Sequence, residues 1–419
     1  MKVKYTKVII LISLLVFIMT PHVTAQENEE SSDSALSSAA EYIKNKIDIH
    51  GFISQGYLHT NRNNIIPGSE NGTYDFNEIG INFASQLTEK LRVGIQFISR
   101  DYGVADNNKI KIDWALIDYR FYDWLGLRLG KMKTPLGLFS EIRDIDSLRT
   151  SILLPINNLY SEIYREVLGY TVGAGLYGNI FTDNWGTFAY AFQYGDIDFD
   201  AQDGGTSQLA RTISFGDYRD IESDYLYMGH LEWYTPLEGL RLGISAGQYQ
   251  YSHTYTLNLW GSFFYGLPVG STWIMSFDNM RSYVASAEYS IGDFSIFSEI
   301  MRLQINFEGT GFSGELLAYN YYAGASYRFC DWFEAGSYYS ERINPNDRDG
   351  ARASRFGGPA YSVETKDFAI STRFDIKEYL IFKCEYHHID GSADMLSIYN
   401  PEGASGSTNM IVFKTTYSF

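Results

Sequence analysis

Trp124-Leu-Gly-Leu-Arg-Leu-Gly-Lys-Met-Lys-Thr-Pro-Leu-Gly137 changes character half-way along, and that change decides how the chain is read. The first half alternates: Leu125, Leu127 and Leu129 fall on one face of an extended strand, Gly126, Arg128 and Gly130 on the other. From Lys131 the alternation stops, because Pro135 cannot donate to a β-ladder and Gly137 is a turn residue. It resumes only near Val167, and a connection of that length is functional or disordered rather than a plain hairpin. The run Ser151-Ile-Leu-Leu-Pro-Ile156 needs something to bury against, which argues for order. Lys133, Glu141, Arg143, Asp144, Asp146, Arg149, Glu162, Arg165 and Glu166 put both signs of charge into the same stretch. The sequence therefore predicts that 134–164 folds into the space the strands enclose and narrows it. The plainer alternative is an ordered lid outside.

Fifteen further segments follow the same strand plan, giving sixteen at roughly 46–59, 74–87, 89–101, 109–121, 124–133, 165–178, 185–196, 224–235, 239–254, 281–290, 293–305, 316–329, 331–343, 361–375, 378–390 and 409–419. Short and long connections alternate. Three of the short ones share an aromatic-then-acid pattern: Phe121-Tyr-Asp-Trp124, Phe329-Cys-Asp-Trp332 and, more loosely, Phe374-Asp-Ile-Lys377. The long ones are 60–73, 102–108, 134–164, 197–223, 255–280, 306–315, 344–360 and 391–408. Loop length sorted by parity marks an all-β, antiparallel transmembrane β-barrel, with tight turns on one side of the bilayer and long loops on the other. A soluble sandwich has no reason to sort its loops this way. Fourteen or eighteen strands stay open, since 255–259 and 272–277 can form a separate hairpin or extend their neighbours.

The last strand shows the pleat. Ile411, Phe413, Thr415, Tyr417 and Phe419 face one way, and Met410, Val412, Lys414, Thr416 and Ser418 the other. The first set suits lipid, the second the interior. The same alternation puts Arg92, Arg100, Arg120, Arg128, Arg241, Arg328, Arg342, Arg373, Lys383 and Lys414 on the inner wall. Asp118, Glu232, Glu288, Glu334, Asp367 and Glu385 join them, leaving a modest basic surplus. Arg and Lys around a water-filled channel favour anions; pairing with Glu across neighbouring strands is an equal alternative. In the fourth strand the phase slips, because Ile110, Ile112 and Trp114 read as outward and so do Ile117, Tyr119 and Phe121. A bulge near 115–116 reconciles them. In the eleventh, Phe294 and Ile296 compete with Phe297 and Met301 for the lipid face.

Lys2, Lys4 and Lys7 precede an apolar run over 8–19, and Val23-Thr-Ala25 is a small-residue cleavage site, so 1–25 reads as a signal peptide. The run is too short for a transmembrane helix. Residues 26–45, acidic and Ser-rich, read as a polar periplasmic tail with a short helix near 35–44, and 46–419 as the barrel. Aromatic residues make up 16% of the chain, with 34 Tyr and 27 Phe, a usage that favours strands over helices. The formal charge of −17 is concentrated in the tail and in 197–223, and it argues against a nucleic-acid partner. Cys330 and Cys384 supply no disulfide framework.

Catalysis is not expected. His387 and His388 are adjacent, but in a strand they point to opposite faces and cannot easily share a metal. No HExxH, GxSxG or Cys/His ligand set occurs. Ser397 and His388 come nearest to a Ser–His pair and have no third member. No cofactor is expected.

Arg128-Leu-Gly-Lys-Met-Lys-Thr-Pro-Leu-Gly-Leu138 resembles the strand-into-loop signature of the phosphate-selective porin family, R-x-G-x-x-K-x-P-x-G-L. With the strand count and the terminal Phe419, which resembles the signal read by the outer-membrane assembly machinery, the resemblance spans most of the chain. It implies a sixteen-stranded porin, usually a homotrimer, whose third outer loop folds inward, and 134–164 is the third long connection. It carries over no phosphate site, because this loop has as many acids as bases. The expected function is passive diffusion of small hydrophilic solutes across a Gram-negative outer membrane, in contact with lipid and lipopolysaccharide. Lys133, Arg143, Asp144, Asp146, Arg149, Glu162 and Arg165 are expected to crowd the narrowest section beside Arg120 and Arg128, favouring anions or zwitterions. The competing expectations are a closed barrel acting as an adhesin or anchor, and an outer-membrane hydrolase.

Overall fold

A computed structural model describes residues 46–103, 107–155, 160, 165–202, 204–212, 214–346, 350, 354 and 359–419. The expected signal peptide and tail, and Glu162, lie outside the described residues. The first eight strands are β1 (Asp48–Thr60), β2 (Phe76–Gln86), β3 (Leu91–Tyr102), β4 (Lys111–Tyr122), β5 (Leu125–Lys133), β6 (Tyr170–Thr182), β7 (Gly186–Asp196) and β8 (Gly216–Tyr234). The second eight are β9 (Leu240–Leu257), β10 (Thr272–Ile291), β11 (Phe294–Gly309), β12 (Phe312–Cys330), β13 (Phe333–Ile343), β14 (Thr365–Lys377), β15 (Leu380–Gly391) and β16 (Ser407–Ser418). Each pairs antiparallel with its neighbours in chain order, and β1 closes the ring against β16. The seam is fastened at the last residue: Phe419 and Gly51 exchange both backbone hydrogen bonds, each 2.9 Å. A closed sheet pairs its own N–H and C=O groups, which is what a bilayer core demands. No helix among the described residues is long and apolar enough to cross a membrane.

The two faces suit two solvents. Ile49, Ile53, Ile79, Leu176, Ile244, Ile300 and Ile370 stand exposed on the outside. Such surface is penalised by water at roughly 25 cal/mol per Å² and not by lipid. At the tight-turn end the outside turns aromatic, with Phe121, Trp124, Trp185, Phe329, Trp332 and Phe419 exposed. Tyr122 and Trp124 stack there at 5.5 Å.

Tight turns of two to five residues join the strands at that end. At the other end the connections are long, except that β11 and β12 meet in a two-residue hairpin at 310–311. The loop expected at 306–315 is therefore mostly strand. β8 and β10 also begin early, at Gly216 and Thr272, so 272–277 extends a strand and the count is sixteen. Inward Tyr255, Leu257 and Trp273 pack together along these extensions, which gives the added residues something to bury. β6 begins at Tyr170 rather than 165, because Arg165–Gly169 forms a helical turn that carries Arg165 to Asp113 and Asp144.

The β4 bulge falls at Asp113, between the pairs Ile112–Phe97 and Trp114–Gln96, and not at 115–116. It turns Asp113 and Trp114 both inward, so Trp114 lines the interior instead of the lipid face. In β11 the ambiguity resolves with Phe294, Ile296 and Ile300 outward and Glu299 and Met301 inward.

Candidate functional site

The loop 134–164 leaves β5 by a turn built from the residues that broke the alternation. The Thr134 N–H donates to the Gly169 carbonyl at 3.0 Å, and its hydroxyl donates to the Leu168 carbonyl. Gly130 sits at φ +132°, where a Cβ would lie 2.2 Å from the Ala115 carbonyl oxygen. Gly137 sits at φ +72°, and a Cβ there would lie 2.4 Å from a Glu299 carboxylate oxygen. The missing side chain lets the backbone reach that carboxylate: the Leu138 N–H donates to Glu299 at 2.6 Å.

From this turn the loop crosses the inside of the barrel and is pinned at two ends. At the first, Leu136, Leu138, Phe139 and Tyr160 pack on the inner faces of β8–β12, against Met228, Tyr249, Tyr251, Val284, Met301 and Tyr322. Glu299 is the polar centre of this anchor, accepting also from the Tyr160 and Tyr322 hydroxyls at 2.7 Å each. At the second, Ile152 and Leu153 pack on Leu58, Phe76, Ile389, Met410 and Val412 of the opposite wall. There Glu385 accepts the Ile152 and Leu153 amides at 2.7 and 2.9 Å and is itself held by His387 at 2.8 Å. Each anchor thus pairs an apolar cluster with a buried wall carboxylate that satisfies loop amides, which an apolar wall alone would leave unpaired.

The charged residues expected at the constriction are brought together, but not onto an open surface. Arg143, Asp144, Asp146 and Arg165 are all buried, at 6, 4, 4 and 2% exposure. Asp144 binds Arg165 (2.6 Å) and Lys133, and both cations reach Asp113 at 3.4 Å. Arg143 donates to the Tyr160 carbonyl at 2.9 Å. Asp146 sits between Arg149 (3.1 Å), Lys414 (2.9 Å) and the Thr416 hydroxyl (2.7 Å). Lys383 donates to the carbonyls of Asp146, Arg149 and Ser151 at 2.7, 2.9 and 3.0 Å, and Arg373 to that of Ser147 at 2.6 Å. Burial opposes ionisation of Asp144, yet Arg165 and Lys133 outweigh it and hold the carboxyl well below the usual range. Lys414, Lys383 and Arg149 do the same for Asp146. Of the charges expected to set up a transverse field, Arg165 faces Asp144 and Arg149 faces Asp146, while Arg143 is held by a backbone carbonyl; Glu162, the third acid, lies outside the described residues.

What the loop leaves open is a cavity of about 590 Å³ between its underside and the wall formed by β16 and β1–β5. Arg92, Gln96, Trp114, Asp118, Arg128 and Glu141 line it, with Phe419 and His50 toward the tight-turn end. Arg128 binds Asp118 at 2.9 Å, lies 4.2 Å over the Tyr177 ring and is 3.9 Å from Glu141. Arg120, next along the wall, hydrogen-bonds Tyr177.

Elsewhere the wall cations are paired. Arg241 binds Glu288 and, at 2.9 Å, Glu232; Arg328 binds Glu334 and Asp375 at 2.8 Å each. Arg373 binds Asp375 at 2.7 Å, Lys414 binds Glu78 at 2.8 Å, and Arg342 binds Asp394. The alternation had left Glu78, Asp113, Glu299 and Asp375 out of the interior, and their inward position removes the basic surplus of the wall as a whole. Glu299 was legible, because Phe297, Glu299 and Met301 share one phase; Asp113 was hidden by the bulge.

No family model matches the chain, and no curated protein matches it in sequence. Solved structures match it in fold. A Pseudomonas putida OprB structure aligns over 95% of this chain and 100% of its own at 10% identity, TM-score 0.55. A Salmonella typhi OmpF complexed with daunomycin covers 89% and 97%, at 11% identity and TM-score 0.54. The anion-selective porin of Comamonas acidovorans covers 89% and 99%, at 12% identity and TM-score 0.53. This chain has the fold of a sixteen-stranded porin. The finer resemblance of Arg128–Leu138 to the phosphate-selective family has no matching family model behind it.

Proposed function

We propose that the protein is a porin of a bacterial outer membrane, through which small hydrophilic solutes diffuse passively. The observation that carries this reading is the loop that leaves β5, a bridge anchored on two opposite walls of the barrel, which leaves a cavity along the wall of β16 and β1–β5. A lumen narrowed to one side selects solutes by size and by the charge of that side. That side holds Arg92, Arg128 and Lys133 against Asp118, Glu141, Asp144 and Asp146. Each of these acids has a cation partner, whereas Arg92 has no ion pair among the described residues, and this supports a modest anion preference. Lys133, Arg143, Asp144, Asp146, Arg149 and Arg165 serve by holding the bridge in place. No covalent step is involved. Assembly as a homotrimer, contact with lipopolysaccharide and recognition of Phe419 during assembly belong to the same proposal.

The second reading is a closed anchor, and one feature favours it: the apolar cluster around Tyr249 and Tyr322 fills the β8–β12 half of the interior. Planar-bilayer recording separates the two. Stepwise conductance with a reversal potential displaced toward anions under a KCl gradient supports the porin. Folded protein that yields no channel events supports the anchor.

A further inference from the structure

We propose that the cavity beneath the bridge is a binding site for carboxylate solutes with a flat apolar body, such as aromatic acids. The proposal rests on the porin reading and names the class of solute. Most of the charged groups around the cavity already have partners. Asp118 is taken by Arg128 and by the Tyr177 hydroxyl, and Gln96 by Asp113 at 2.9 Å. Lys133 is taken by Asp144 and Asp113. Arg92 is different: among the described residues it has no ion pair or hydrogen bond, and Asp118, opposite it in register, is engaged elsewhere.

The surface next to Arg92 is apolar. Two residues along the same face, Gly94 has no side chain, and the Trp114 ring lies where one would be, 2.8 Å from an added Cβ. Leu116, Met132 and Phe52 continue that surface. Inorganic phosphate would find one unpaired guanidinium where it needs several donors. A monocarboxylate finds its partner in Arg92, the guanidinium fork matching its two oxygens. Its ring finds the indole face. At about 590 Å³ the cavity is of the size that holds drug-sized ligands, so one or two fused rings fit.

Equilibrium dialysis of folded protein in detergent against benzoate, acetate and benzamide tests the site without requiring conduction. Wild type is expected to retain benzoate roughly tenfold better than either acetate or benzamide. Arg92→Gln should lower benzoate to the level of benzamide, and Trp114→Leu should lower it toward acetate. Gel mobility before and after heating confirms that each variant is a folded barrel. Arg302→Gln, on the outer face beside Tyr283, should bind benzoate as wild type does. Equal retention of benzoate and acetate by wild type, or undiminished benzoate binding by folded Arg92→Gln, overturns the proposal. KCl conductance recorded on the same samples keeps the readings apart. A conducting barrel that does not discriminate loses only the site, and a silent barrel that retains benzoate loses only the channel.

Discussion

Asp146→Asn removes the charge at the centre of the bridge and leaves the shape nearly unchanged. Asp146 is 2.9 Å from Lys414, 3.1 Å from Arg149 and 4.0 Å from Lys383. Lys414 keeps Glu78 at 2.8 Å, so the loss falls on Arg149, whose one carboxylate partner among the described residues is Asp146, and on Lys383, which retains three carbonyls. Breaking a buried ion pair costs about 3–5 kcal/mol, and the carbonyls place this case at about 3. At 1.4 kcal/mol per decade that is roughly a hundredfold rise in local opening. Hydrogen exchange read by mass spectrometry should show peptides over 144–153 exchanging about a hundredfold faster, with strand peptides unchanged. Single-channel records should become noisier. Replacing Arg149 by Gln in the same protein removes a stranded charge while keeping an amide donor for the Ile152 carbonyl, and should restore protection to within about tenfold of wild type. Exchange in the single variant within about threefold of wild type, or no rescue in the double, would refute the idea that this ion network holds the bridge.

Gly137→Ala should lower the heat at which the folded band is lost on gels, since φ +72° alone costs about 1–2 kcal/mol and the added Cβ displaces Glu299. Leu153→Ala should cost about 2–5 kcal/mol at the second anchor and speed exchange over 150–155 while 136–140 stays protected. Arg128→Gln with Arg92→Gln should shift reversal potentials toward cations in a conducting barrel. Arg143→Glu with Arg149→Glu should instead free the bridge and raise conductance noise, because Arg143 is buried and Arg149 is clasped to Asp146. The stabilising effect of Asp146 is present above the unfolded-state value near ~4 and is lost only as pH falls through its much lower folded value. Acidification from pH 7 to 5 should therefore not reproduce the exchange pattern of Asp146→Asn.

The fold was legible because a barrel writes its two solvents into every strand. In β16 the alternation of Ile411, Phe413 and Tyr417 with Met410, Val412 and Lys414 returns as partly exposed outer and buried inner positions. Period-two patterns fail where the backbone inserts a residue. The bulge at Asp113 shifts phase by one, and no residue type in Lys111-Ile-Asp-Trp-Ala115 says at which position the insertion falls. The cost was Trp114, read as lipid-facing when it lines the cavity.

The site was legible in its composition and hidden in its orientation. That 134–164 carries balanced charges and an apolar run followed from the sequence, and both features have work inside the barrel. Charge sign alone cannot distinguish residues that line a pore from residues that neutralise one another. The difference is geometric: a loop that turns back on itself brings Arg165 to Asp144 across 21 positions of chain. Desolvation then decides the outcome. An unpaired charge in a confined space is expensive, so a loop that must cross a narrow lumen binds its own charges tightly and presents neutral backbone to its anchors. Selectivity is left to the charges that water still reaches. On this wall those are Arg92, Arg120 and Arg128 of the strands together with Glu141 of the loop, while Asp144, Asp146 and Arg165 are buried against their own partners.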